Sequence, residues 1–283
     1  MEIKNLDKKN FPKLLKHIPD PPEQIRIIGE LPKNQKNLCV VGSRKYSEYG
    51  KAVCQKLIDG LKGYPITIVS GLAIGMDSIT HLSALKNKLK TIAVPGSGLS
   101  DKVLYPSTNK SLAKRIIEEN GALISEFNDD FEATSWSFPQ RNRIMAGMSE
   151  ATLIIEAELK SGTLITSKYA TEYNRDVFTI PHSIFSKTGA GPHMLLRLGA
   201  TPITSSEDII QALGLKIKDF EDRKDYSKCS RDEKEVIEIL KEPKGRDEVI
   251  RLLNKPVYIT QTILASMEIK GLIKEEMGEI HLI

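Results

Sequence analysis

Leu38-Cys39-Val40-Val41-Gly42-Ser43-Arg44 decides the fold. An apolar run stopped by a glycine reads as a short strand buried on both faces, and residues 47–62 behind it have helical spacing. The pairing recurs at ITIVSG (66–71), TIAVPG (91–96), ALISE (122–126), ATLIIEA (151–157) and DVFTIP (176–181). Between the runs, residues 75–88, 108–120 and 162–174 are long enough for crossover helices. Continuous rather than alternating Val/Ile runs mark strands of a parallel sheet. Strand and helix repeated five or six times predict an α/β chain, a doubly wound, mainly parallel, extended Rossmann-like sheet.

Outward from this core, residues 203–213 supply a last helix with Ser205 or Ser206 as N-cap. Residues 1–36 are polar and proline-interrupted and read as a lead-in with one short helix. Residues 214–229 read as a charged linker. Beyond it, 231–241, 245–253 and 258–270 have helical spacing, and the end reads as a hairpin turning near Gly278. Three helices and a hairpin predict a winged helix. The expected organisation is a lead-in (1–36), a Rossmann-like domain (37–213), a linker (214–229) and a winged-helix domain (230–283).

In 283 residues, 40% hydrophobic and 28% charged, there is enough apolar material for a sizeable core, which excludes wholesale disorder. No apolar run is long enough to span a membrane. The first residues lack the apolar stretch of a secretory leader. Cys39, Cys54 and Cys229 suit free thiols, so a cytoplasmic protein is expected. The net charge of +4 hides an asymmetry: residues 214–283 hold 14 basic and 15 acidic residues, leaving the excess of positive charge before residue 214.

Ligands of an open α/β sheet sit beyond the carboxyl ends of its strands. Gly42, Ser43 and Arg44 follow the first run; the glycine admits a close backbone, the helix start offers N–H groups, and the arginine can fork a phosphate. Gly71 and Gly75 follow the second run, and Gly96 and Gly98 the third. Each is explicable as turn chemistry alone, but together they suggest one anion-binding surface. Residues 133–149 contain no acid, whereas four lie between Glu126 and Glu132. Here Trp136, Phe138, Arg141, Asn142 and Arg143 combine base-stacking and phosphate-binding side chains. Trp136 is read as a core plug, and Arg141 and Arg143 as phosphate ligands. Ser161 and Gly162 open a further helix, and Lys187 lies in a glycine-bearing loop.

His182 and His193 have no Cys or carboxylate partners at ligand spacing, so no metal is expected. Neither GxxxxGK[ST] nor GxGxxG with a following acid is present, so no P-loop or dinucleotide cofactor is expected. Asp77, Glu126 and Glu156 could be paired catalytic carboxylates, but no activated nucleophile accompanies them, and capping explains them equally well.

Gly42-Ser43-Arg44, SGLAIGMD (70–77), PGSG (95–98) with Tyr105-Pro106, FPQRNRIMAGMS (138–149) and EAELKSGTLIT (156–166) together resemble the DprA/Smf family of natural transformation. The resemblance covers about residues 18–213 and, more loosely, 229–283. It implies a non-enzymatic bacterial cytoplasmic protein that binds incoming single-stranded DNA, protects it and helps load the RecA recombinase. It also implies a homodimer through the Rossmann-like domain. The DNA-binding positions it carries over are Ser43, Arg44, Phe138, Arg141, Asn142 and Arg143, with Lys187. The chain departs from the family pattern at His182 and at Gly191-Pro192-His193, and its N-terminal part is short. PGSG also resembles the nucleotide-hydrolysing Rossmann family that makes free cytokinin bases, but Leu99-Ser100 leaves no Glu in register. Residues 258–270 carry one Lys and one Glu, too little positive charge for a groove-binding helix. They are read as a partner or dimer module rather than a promoter reader.

Overall fold

A computed structural model describes residues 2–217, 229–276 and 278–282. Contacts divide the chain into a unit ending at Ile217 and a second beginning at Lys218. The first unit runs β1 (Lys4–Leu6), β2 (Ile25–Gly29), β3 (Lys36–Val41), α1 (Glu48–Asp59), β4 (Ile66–Ser70), α2 (Met76–Lys86), β5 (Lys90–Ala93) and α3 (Lys110–Glu118). It continues through β6 (Ala122–Ser125), α4 (Ser137–Gly147), β7 (Ala151–Ile154), α5 (Thr163–Glu172), β8 (Asp176–Thr179), α6 (Ala190–Arg197), β9 (Thr201–Pro202) and α7 (Ser206–Ala212).

The sheet order is β1-β2-β6-β5-β4-β3-β7-β8-β9. From β6 to β9 all neighbours are parallel, in agreement with the Val/Ile runs; β1 and β2 are antiparallel additions at the β6 edge. From β3 the chain winds one way through β4 and β5 to β6, then returns to β7 on the other side of β3. That reversal opens a crevice beyond the carboxyl ends of β3 and β7, where doubly wound sheets bind ligands.

Both faces are covered. Leu57, Ile58, Ile79 and Ile209 from α1, α2 and α7 bury one face, and Ile144, Met145 and Leu195 from α4 and α6 bury the other. At about 25 cal/mol per Å² of apolar surface removed from water, this two-sided burial is the main stabilising term. Ser205 is the N-cap of α7, and the Asp208 side chain accepts in return to complete a capping box.

The lead-in differs from the expectation of one short helix. Its strands β1 and β2 extend the sheet, and Leu15 and Ile18, from a 3-10 turn between them, are buried against α4. Prolines at 19, 21, 22 and 32 flank β2 without entering it, as suits an edge region. Of the expected linker, residues 218–228 lie outside the described residues. The second unit contains α8 (Arg231–Ile239), β10 (Lys244–Gly245), α9 (Arg246–Leu253), α10 (Val257–Ile269), β11 (Ile273–Glu276) and β12 (Glu279–Leu282). Its strands pair antiparallel in the order β10-β12-β11 around a separate core. This is consistent with a winged helix.

Candidate nucleic-acid interface

A cleft of about 500 Å³ lies over the topological switch. Gly42, Ser43, Arg44, Phe138, Arg141, Asn142, Ser161 and Gly162 all line it, so eight residues singled out in the sequence converge. Arg143 and Lys187 do not line it.

The β3–α1 loop presents Arg44. The Ser43 hydroxyl accepts from the Lys45 N–H at 3.1 Å and donates to the Lys45 carbonyl at 2.7 Å, closing a tight turn. The Ser43 carbonyl accepts from the Met76 N–H at 3.1 Å, tying this loop to the start of α2. Gly75, at φ 84°, makes that approach possible: a Cβ there would lie 2.4 Å from the Arg44 carbonyl oxygen. Arg44 is exposed, and its guanidinium sits 5.2 Å from the centre of the Phe138 ring. The Tyr105 ring flanks Phe138 at 5.6 Å. A cation and two aromatic rings, all reachable from solvent, can take a phosphate and a base together.

Phe138, Arg141, Asn142 and Met145 share the crevice-facing side of α4, at the i, i+3, i+4, i+7 spacing of one helical face. Depth then separates their roles. Arg141 is buried and donates to the carbonyls of Gly71 and Val94, while its Nε donates to Asn142 Oδ1 at 3.1 Å. Burial pushes its guanidinium below the ordinary arginine range and the Asp77 carboxyl above its own, each charge offsetting the other's displacement. Asp77 also accepts from the Gly71 and Ala73 N–H groups at 3.1 and 3.3 Å. Arg141 and Asp77 thus brace the strand ends beneath the cleft. Arg141 is a floor of the site rather than a free phosphate ligand, a correction to its expected role.

Arg143 requires a larger correction. It stands five residues after Phe138, about 140° around the helix, and turns away from the cleft. Its side chain is 5% exposed and is paired with Glu126, and it donates to the Asp20 carbonyl at 2.5 Å. It anchors the lead-in to α4 and has no face free for DNA. Trp136, read as a core plug, is instead 56% exposed, edge-on to Phe127 and Phe131.

The glycine loops likewise serve close packing. A Cβ on Gly71 would strike the Arg141 guanidinium at 2.3 Å, and one on Gly96 would strike the Phe138 ring at 2.6 Å. Two of the N–H groups at the α1 start are already used. Ser47 caps Gly50, and Glu156 Oε2 accepts from the Ser47 N–H at 2.9 Å. Glu156 Oε1 accepts from the hydroxyls of Ser47 at 2.5 Å and Thr188 at 2.9 Å. A carboxylate of the chain itself occupies that positive helix end. Glu126 and Glu156 are therefore engaged in structure, not poised as a catalytic pair. At the α5 start the Ser161 hydroxyl accepts from the Thr163 N–H at 3.1 Å, and Gly162 stays open, with nothing within 4 Å of a Cβ position.

The exposed charge at the cleft is mainly positive, with Glu158 the exposed acid in its lining. Arg44, Lys45, Lys160 and Lys187 are exposed and have no ion-pair partner among the described residues. His182 Nε2 and His193 Nε2 face the carbonyls of Ile155 and His182 at 2.8 and 2.9 Å. No group of three or more His, Cys, Asp or Glu suited to a metal is found among the described residues, and no helix among them is long and apolar enough to cross a membrane.

A family model described as DNA recombination-mediator protein A matches residues 2–214. Protein Smf of Escherichia coli (strain K12) is 35% identical over 281 residues, covering 96% of this chain and 75% of that protein. DNA processing protein DprA of Streptococcus pneumoniae is 42% identical over 173 residues, covering 61% of this chain and 60% of that protein. The X-ray structure of the S. pneumoniae DprA superposes with a TM-score of 0.69 at 37% identity, covering 74% of each chain. A DNA processing protein A of Helicobacter pylori, solved to describe its single-stranded DNA binding mode, superposes with a TM-score of 0.67 at 29% identity, covering 75% of this chain and 95% of that one. A matching model over most of the length, a third of the residues shared with Smf and a superposable sheet agree, and the chain belongs to the DNA recombination-mediator protein A family, that of DprA and Smf.

Proposed function

We propose that this chain binds single-stranded DNA without sequence preference across the switch-point cleft, protects incoming transforming DNA and helps load the RecA recombinase. It would work as a homodimer through the Rossmann-like unit. One observation carries the reading: Arg44 is exposed over the Phe138 ring in a cleft that Lys45 and Lys160 also line. Arg44, Lys45, Lys160 and Lys187 hold phosphates, Phe138 stacks a base, and Ser43, Asn142, Ser161 and Gly162 shape the backbone seat. The binding mode named for the H. pylori relative supports this assignment. Phosphate contacts and ring stacking are sequence-tolerant, which supports binding without sequence preference.

The test is a titration of labelled single strands and duplex at several salt concentrations. With about four phosphate contacts, log K should fall against log salt with a slope near roughly −3 on single strands. Affinity should be nearly equal on unrelated sequences. Duplex bound as tightly as single strands would overturn the reading.

A further inference from the structure

A second exposed aromatic lies beyond the cleft, on the segment between β8 and α6. Phe185 is 90% exposed and its neighbour Ile184 is 81% exposed. A ring held almost wholly in water has its whole face open to stack on a partner.

The segment presenting it is fastened at several points. The Tyr49 hydroxyl donates to the Pro181 carbonyl at 2.9 Å, and the Tyr49 and His182 rings meet edge-on at 5.2 Å. His182 and Thr188 reach Ile155 and Glu156. The Ser186 N–H donates to the Ser183 carbonyl at 3.0 Å, and the Gly189 N–H to that of Ser186 at 3.2 Å. Phe185 therefore stands at the tip of a stapled turn. Lys187 on the same turn is exposed and has no ion-pair partner among the described residues.

We propose that Phe185 and Lys187 form a second station for the same single strand, the aromatic ring stacking a base and the lysine taking a phosphate. This rests on the single-strand reading above. The chemistry is of the kind found at Phe138 and Arg44, a ring reachable from solvent together with a cation that has no ion-pair partner among the described residues. Phe138 packs over Gly96 beyond β5, and Phe185 follows β8, so the two lie at strand ends on opposite sides of β3. Lys45 and Lys160 lie on the loops between them. Of the carboxylates on the β7–α5 loop, Glu156 has its oxygens taken by Ser47 and Thr188, and exposed Glu158 stands against the cations Arg44, Lys45 and Lys160 that line the same cleft.

The experiment is fluorescence anisotropy with a series of oligothymidylates of increasing length, on the full chain and its variants. Phe185→Ala should match the parent on the shortest strands, which reach one station. On strands long enough to reach both, it should lose roughly 5- to 100-fold in affinity with an unchanged salt slope. Phe185→Tyr should restore binding, and Lys187→Ala should lower the slope only on the long strands. Phe185→Ala binding like the parent at every length, or losing affinity equally at every length, would overturn the second station. An unchanged melting temperature is expected, because the ring packs on nothing. Arg44→Ala separates the two readings: if it is silent on short strands, the underlying assignment fails, whatever Phe185 does.

Discussion

Arg44 and Arg143 have the same chemistry and opposite surroundings, and that contrast is testable. Arg44 is exposed, so Arg44→Ala should leave stability within about 0.5 kcal/mol. It should weaken single-strand binding on all sequences alike and reduce the salt slope by about 1. Arg143→Ala removes the ion-pair partner of the largely buried Glu126 carboxylate. Removing one member of a buried pair costs about 3–5 kcal/mol, seen as a lower denaturant midpoint, while the folded fraction keeps its affinity and slope. Equal losses of affinity in both variants would contradict the geometry. The sequence could not separate the two by composition, but helical spacing could. Residues 138, 141, 142 and 145 form one face, and 143 falls outside it. His81 is a second residue with a defined expectation. Burial pushes its imidazole down to about 3 from an ordinary 6.5, so the unfolded chain takes up a proton that the folded chain refuses. The stability this confers is complete above pH 6.5 and is lost as pH falls toward 3. Denaturant midpoints should decline over that window, with a smaller slope in His81→Gln.

At the scale of elements, the core strands were legible because burial on both faces leaves mostly Val, Ile, Leu and Ala in short runs, three of them ended by glycine. β2 was not, because Ile25-Arg26-Ile27-Ile28 lies among prolines and mixes an exposed edge with a buried face. The helix starts misled for another reason. Ser43 and Arg44 stand before a helix, but Glu156, more than a hundred residues away, fills the positive end of α1. That long-range bond has no local signature. Gly75 shows how an element aims a side chain in another loop. Gly75→Ala would place a methyl 2.4 Å from the Arg44 carbonyl oxygen at a φ of 84°. It should lower stability by more than about 1 kcal/mol and also weaken single-strand binding, because the β3–α1 loop must move. Gly162→Ala is the control. It sits at φ −59° with nothing within 4 Å, so stability should be unchanged or rise by up to about 1 kcal/mol. Calorimetry and the anisotropy titration read both. An affinity loss in Gly162→Ala alone would point to DNA packed against that open corner.

For the whole molecule, the net charge of +4 matters less than which charges are already paired. Residues 229–283 hold nine Lys and Arg against eleven Asp and Glu. Seven of the nine cations lie within ion-pair distance of an acid, including Arg246 with Glu268 and Glu275 and Lys255 with Asp232 and Glu235. Its helix α10 shows solvent Tyr258, Val257 and Ile269 rather than a row of arginines. A phosphate contact registers in the salt slope only when a cation exchanges its counterions for DNA. Cations already bonded to carboxylates are poorly placed to do so. The cleft of the first unit has the reverse character: Asp77 is bonded to backbone N–H groups, while Arg44, Lys45 and Lys160 are exposed without ion-pair partners among the described residues. A chain ending after Ile217, whose core is its own, should therefore bind single strands with the same slope, near roughly −3, as the full chain. A slope shallower by about 1 or more in the shortened chain would mean that the second unit touches phosphate after all. An equal slope with weaker binding would instead assign that unit an uncharged contribution, as expected of an apolar docking face.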